Sequence, residues 1–205
     1  MGETREHIID LADSLIRKRG FNAFSYSDIA TMLDIRNAAV HYHFPSKSDL
    51  GNAVMEAEVL RLTEYRRQHG GLPGDEQLKH LVETFYYSAQ THMLCLVGAL
   101  TPEFATFDDG MQMTLQRMCA AIRDWITDFL GQARTTGRLH FEGTAEDRAV
   151  LVLSTLLSSL LLSRVEGQEL FRRMLDRLLE DLGADWRTGE LPAPDGSLTT
   201  YHSFT

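Results

Sequence analysis

The 205-residue chain is poor in cysteine and proline, and it has no excess of positive charge. Two cysteines, Cys95 and Cys119, cannot build a disulfide framework, so a reducing cytoplasm is the expected home. Only Pro45, Pro73 and Pro102 precede residue 184, which leaves long stretches free for helix. The longest apolar run, residues 149–162, contains Ser154, Thr155, Ser158 and Ser159 and falls short of the ~20 residues of a membrane span. No membrane association is expected. Thr4-Arg5-Glu6-His7 leads straight into an amphipathic stretch, so no signal peptide is expected either. There is no Gly-x-Ser-x-Gly, no phosphate-cradling glycine loop and no Cys/His set at zinc spacing, so neither enzyme activity nor a cofactor is expected.

What is present is hydrophobic residue at helical spacing. With 43% hydrophobic and 24% charged residues, the chain is too apolar to be disordered. The net charge is -9, but it is uneven: residues 1–50 hold six Lys/Arg against seven acids, and the rest is strongly acidic. Charges beyond one Debye length, ~8 Å at physiological salt, are screened, so this composition permits contact with a polyanion.

The pattern predicts an all-α fold. Ile8, Leu11, Ala12, Leu15 and Ile16 mark a first helix, stopped by Gly20. Ser25 caps a short helix over 27–33, Asp34-Ile35-Arg36 is a tight turn, and residues 37–44 form a second short helix. Together they make an N-terminal three-helix helix-turn-helix domain over 1–50. A larger helical domain follows over 51–183, with helices near 47–68, 75–91, 92–107, 111–135, 144–165 and 168–182 and a linker at 70–74. The tail, 184–205, shows no period.

A reading helix must be slim to enter a major groove about 12 Å wide, and Asn37-Ala38-Ala39 is slim. Arg36 and Asn37 suit bidentate contacts to guanine and adenine, and Ala38 or Ala39 can meet a thymine methyl. Ser25, Tyr26, His41, Tyr42 and Lys47 can donate to phosphate, fixing register without reading sequence. His41 and His43 stand two apart on a helix and point in different directions, so no metal site is expected.

Over Arg19-Gly20-Phe21, Phe24-Ser25-Tyr26-Ser27-Asp28-Ile29-Ala30 and Val40-His41-Tyr42-His43-Phe44-Pro45-Ser46-Lys47-Ser48-Asp49-Leu50, the chain resembles the TetR/AcrR family of bacterial one-component repressors. It departs from the family at Asp34, where glycine is usual, and at Val40-His41, where Leu-Tyr is usual. The resemblance implies a homodimer that binds a palindromic operator and is released by a small molecule. It implies an effector pocket drawn from Phe85, Tyr86, Gln90, His92, Cys95, Phe104, Met113, Met118 and Trp125. Taken singly, each of these residues reads better as plain core; as a set they suit an apolar or aromatic effector. Cys95, with His92 three residues before it, is also a candidate thiol for electrophiles or oxidants if its pKa is lowered. The helices near 144–165 and 168–182 would form the dimer interface. A helical small-molecule-binding protein without DNA is the alternative reading.

Overall fold

The computed structural model describes residues 2–191; the tail expected to be irregular lies, beyond 191, outside the described residues. The described residues are helical with no strand among them: α1 (Gly2–Arg19), α2 (Tyr26–Met32), α3 (Asn37–His43), α4 (Lys47–His69), α5 (Gly74–Gln90), α6 (Leu96–Leu100), α7 (Asp109–Thr135), α8 (Ala145–Glu166) and α9 (Gln168–Asp181), with 3-10 turns at Phe21–Ala23, Thr101–Thr106 and Thr188–Glu190. The all-α expectation holds. Two compact units form, one from residues up to 61 with 94–119, the other from 62–93 with residues from 120 onward.

In the first unit α1 buries Ile8, Leu11, Ala12, Leu15 and Ile16 and stops at Gly20, whose φ of 95° disfavours any side chain. A Cβ there would also run into the Glu103 carboxylate. Ser25 and Asp28 form a reciprocal capping box at the start of α2: the Ser25 N–H donates to Asp28 Oδ2 at 2.6 Å, and the Asp28 N–H donates to Ser25 Oγ at 3.3 Å. The Ser25 hydroxyl and the Ser25 N–H, both donating to it, hold the Asp28 carboxyl below its ordinary pKa. Ser46 and Asp49 repeat the device at α4, where the Ser46 N–H donates to Asp49 Oδ2 at 2.9 Å. Between α2 and α3 Asp34 takes a φ of 52°, the left-handed conformation that glycine adopts without strain.

Beneath these helices lies a buried ion cluster. The Arg17 guanidinium donates to Asp13 at 2.8 Å and to Glu58 at 3.0 Å, and Arg61 pairs with Glu58 at 3.0 Å. Burial opposes the Arg17 charge, but Asp13 and Glu58 outweigh it and hold its pKa above the ordinary value. The Arg17 carbonyl accepts the Leu94 N–H at 3.0 Å, which ties the α6 approach to α1.

Two expectations are corrected here. The helix expected over 92–107, with a bend at Thr101-Pro102, is instead an extended approach, the five-residue α6 and a 3-10 turn that starts at Thr101, because His92 adopts a φ of 56° and Cys95 caps α6. Gly74, expected in the linker, starts α5. It lies so close to Phe129 and Ala133 of α7 that no side chain fits.

In the second unit α5, α8 and α9 pack around Leu78, Val82, Phe85, Val152, Leu156, Leu160, Phe171, Leu175 and Leu179. Trp186 is buried with Lys79 above its ring, and Thr188 binds Asp176 through both its N–H and its hydroxyl at 2.8 Å. The stripe of α9 is thus covered within the unit. That of α8 is not: Leu151, Leu161, Leu162 and Val165 stay exposed, Val165 at 87%. By length and composition α8 could cross a membrane, yet Ser154, Ser158, Ser159, Ser163, Arg148 and Arg164 interrupt it.

Candidate nucleic-acid interface

α3 is seven residues long and owes its order to its neighbours. Val40 and Phe44 are its buried side, at 0% and 2% exposed. The opposite side carries Arg36, Asn37, Ala38, His41 and Tyr42, all exposed, with Ala39 half-buried. Arg36 occupies the N-cap position in extended backbone, so its side chain leaves the helix at the end nearest the turn.

Tyr26 stands differently from expectation. Its ring is buried, and its hydroxyl lies 3.0 Å from the Phe44 carbonyl and 2.5 Å from the Ser46 carbonyl. A phenol has one proton to give, so Tyr26 clamps the end of α3 to the start of α4 instead of reaching a phosphate. Burial, with Asp49 nearby, pushes its pKa up to about 12. The His41 ring packs edge-on against it at 4.7 Å, which orients the imidazole at the surface.

Lys47 is half-buried at the first position of α4. Its ammonium donates to the Phe24 carbonyl and lies 4.2 Å from the centre of the Phe24 ring and 4.8 Å from that of Phe21. Burial pushes its pKa down, against the opposing pull of Glu103 and Asp28. Ser25 stays exposed, and its hydroxyl donates to Asp28 at 2.8 Å. Sequence reasoning missed Ser46 and Asp49, although the Ser-x-x-Asp spacing is itself a capping signal.

The residues expected around an effector fall in both units. In the second, Phe85 and Trp125 are buried, and the Trp125 indole N–H donates to Gln77 at 3.1 Å. Tyr86 is half-buried and its hydroxyl accepts from Arg172 at 3.2 Å. Trp125 joins an aromatic group missed from sequence: Tyr65 lies 5.5 Å from it and stacks on His69 at 4.4 Å, and His80 lies 5.5 Å from His69. Tyr65 and His69 come from α4 and His80 from α5, so the turn after His69 brings together positions that no single helical period connects. Gln90 and His92, by contrast, are exposed.

In the first unit Met118 is fully buried, Phe104 is half-buried in its 3-10 turn, and Met113 is 58% exposed. Gln90, His92 and Met113 therefore do not face an interior. The condition set for a reactive Cys95 is also not met. Its sulfur accepts the Gly98 N–H at 3.3 Å, and burial outweighs that bond and the Arg17 charge, raising the thiol to about 11. In a Cys119→Ser background, alkylation of Cys95 by iodoacetamide near neutral pH is expected to run about a hundredfold slower than in the urea-unfolded chain. The rate should climb as pH approaches 11; labelling as fast as in the unfolded chain would contradict this environment.

Two short helices joined by a turn, capped at the start of the first and exposed along one face of the second, make a helix-turn-helix. Residues 8–54 match the family model described as bacterial regulatory proteins, tetR family. The HTH-type transcriptional regulator AcrR of Shigella flexneri is 27% identical over 135 residues, 62% of this chain and 63% of that protein. The HTH-type transcriptional repressor NemR of Escherichia coli strain K12 is 22% identical over 169 residues, 80% of this chain and 85% of that protein. A TetR-family regulator from Agrobacterium tumefaciens superposes with a TM-score of 0.82 at 27% identity, covering 88% of this chain and 98% of that one. The family-model match, the AcrR and NemR relatives and the solved TetR-family structure together support a transcriptional regulator of the TetR/AcrR kind.

Proposed function

We propose that the protein is a cytoplasmic homodimeric repressor that binds a near-palindromic operator and is released by a small apolar or aromatic effector. The observation that carries this reading is the exposed face of α3, with Arg36, Asn37 and Ala38 beside the turn and Val40 and Phe44 locked into the core. In the major groove Arg36 would pair with guanine and Asn37 with adenine, while Ala38 or Ala39 meets a thymine methyl. Ser25, His41, Tyr42 and Lys47 would hold phosphates. Tyr26 sets the angle of α3 from within.

The uncovered stripe of α8 would face its copy, with the polar outer side of α9 at the rim. A two-fold pair presents its reading helices about 34–36 Å apart, one turn of duplex. The effector would bind near Trp125 and Phe85 and favour a dimer whose reading helices are spaced wrongly. Differential affinity of that kind is what lowers operator affinity. The helix α4, continuous from Lys47 to His69, would be the lever.

The test is selection of bound sequences from a random duplex pool, followed by two substitutions. Arg36→Ala is expected to relax preference at one base pair per half-site at a cost of about 1–3 kcal/mol. Lys47→Ala should weaken all sequences alike and flatten the salt dependence by about one unit of slope. No enriched palindrome at low salt would overturn the repressor reading in favour of a ligand-binding protein that leaves DNA alone.

A further inference from the structure

We propose that His41 is a proton-dependent phosphate contact, through which DNA affinity rises as the pH falls from about 8 to about 6. The inference rests on the operator reading above and adds a regulation of that same surface.

His41 stands four residues beyond Asn37 on the exposed side of α3, so a duplex met by Asn37 meets His41 one turn further along. Its ring packs against the Tyr26 ring at 4.7 Å and 66°. Tyr26 cannot swing away, because its hydroxyl is held between the Phe44 and Ser46 carbonyls. Among the described residues neither ring nitrogen of His41 takes part in a hydrogen bond. The imidazole is thus fixed in place and keeps both nitrogens for an outside partner. Once protonated it donates through both, and phosphate oxygens only accept.

The charged and titratable groups next to it are engaged elsewhere. On α2, Asp28 is bonded to Ser25, and Tyr26 stays neutral because its pKa is pushed up to about 12. At the start of α4, Asp49 is bonded to Ser46, and Lys47 donates inward to the Phe24 carbonyl. On α3 itself Arg36 stands at the opposite end, and Tyr42 packs on His43 at 5.2 Å. His43 is half-buried, among Arg5, Asp49, Glu56 and Arg117. His41 also lies in the last turn of α3, where the unpaired carbonyls of a helix end favour a cation.

An imidazole is the side chain that changes charge between pH 5 and 8 at its ordinary value. A phosphate beside it favours the charged form by about one unit or more. The bound state then holds the proton more tightly than the free one. The gain in affinity is therefore complete at low pH and is lost as pH rises through the bound-state value. One unit corresponds to about tenfold for each half-site. Tyrosine, usual at this position in the TetR/AcrR family, would donate to phosphate without changing charge over this range.

The experiment is fluorescence anisotropy of the whole protein between about pH 6 and about pH 8 at constant ionic strength. The probes are a labelled operator and, at low salt, a labelled duplex of arbitrary sequence, since a phosphate contact is indifferent to sequence. The parent is expected to bind about tenfold or more tightly at the acid end, with a salt slope steeper there by about one unit per half-site. His41→Tyr should bind DNA with both differences removed, and His43→Gln should keep them. Lys47, whose pKa burial pushes down, titrates alike in the parent and in His41→Tyr and so drops out of the comparison. A parent indifferent to pH, or a dependence that survives in His41→Tyr, would overturn the proposal and leave the operator reading standing. No binding to either duplex at any pH would overturn both.

Discussion

Arg17→Ala is expected to remove about 3–5 kcal/mol of stability, a large part of what a chain of this size possesses. Arg17 is 4% exposed and answers two carboxylates at once, Asp13 at 2.8 Å and Glu58 at 3.0 Å. Asp13 is itself buried, and Arg61 reaches its other oxygen only at 3.6 Å. Truncation therefore leaves negative charge in a place where water cannot replace the guanidinium. The pair as a whole contributes far less than this loss, because desolvating both partners already offsets most of their attraction. Arg17→Met combined with Asp13→Asn and Glu58→Gln is expected to recover most of the stability that Arg17→Ala loses. Urea unfolding at neutral pH checks both. A loss below about 1 kcal/mol in the single variant would mean that the cluster is hydrated and contributes as a surface pair does.

Gly74→Ala is expected to cost about 3 kcal/mol or more, at the upper end for inserting a single methyl group. The added Cβ would lie inside contact distance of the Phe129 carbonyl and 2.9 Å from both the nitrogen and the Cβ of Ala133. Two of these atoms are backbone of α7, a 27-residue helix whose buried Trp125, Ile126 and Phe129 anchor it. Neither helix can yield without opening the core around them. Gly71 supplies the control, since a Cβ there meets nothing within 4 Å, and Gly71→Ala should stay within about 0.5 kcal/mol of the parent. Thermal unfolding of the two variants side by side would decide the matter. Equal melting points would mean that α5 and α7 can slide apart at no cost.

Much of the first unit was legible in the sequence because its signals are local. Gly20 after an amphipathic run, Ser25 three residues before Asp28, and Pro45 between helices each act within four residues. The exposed face of α3 was readable for the same reason. Tyr26 was misread as a phosphate contact because its true partners, the carbonyls of Phe44 and Ser46, lie 18 and 20 residues away. The break at His92 escaped notice since no glycine or proline marks it. Gln90 and His92 stand exposed because helical period tells which positions share a face, not what that face meets. Nor could spacing reveal that Tyr65, His69, His80 and Trp125 converge, as three helices contribute to that group. For Cys95, His92 three residues earlier left activation open beside the plain-core reading, and burial, a property of the whole unit, works against it.

Seven residues make a helix too short to persist alone, and α3 persists through Val40, Phe44 and the Tyr26 clamp. The part of the chain proposed to face a base therefore has no order of its own. A genetic selection for loss of operator recognition should then return two kinds of lesion with the same phenotype. One kind would fall at Arg36 and Asn37 and leave the melting curve alone. The other would fall at Val40, Phe44 or Tyr26, far from any base, and read as a DNA-binding defect at temperatures where the rest of the molecule is still folded.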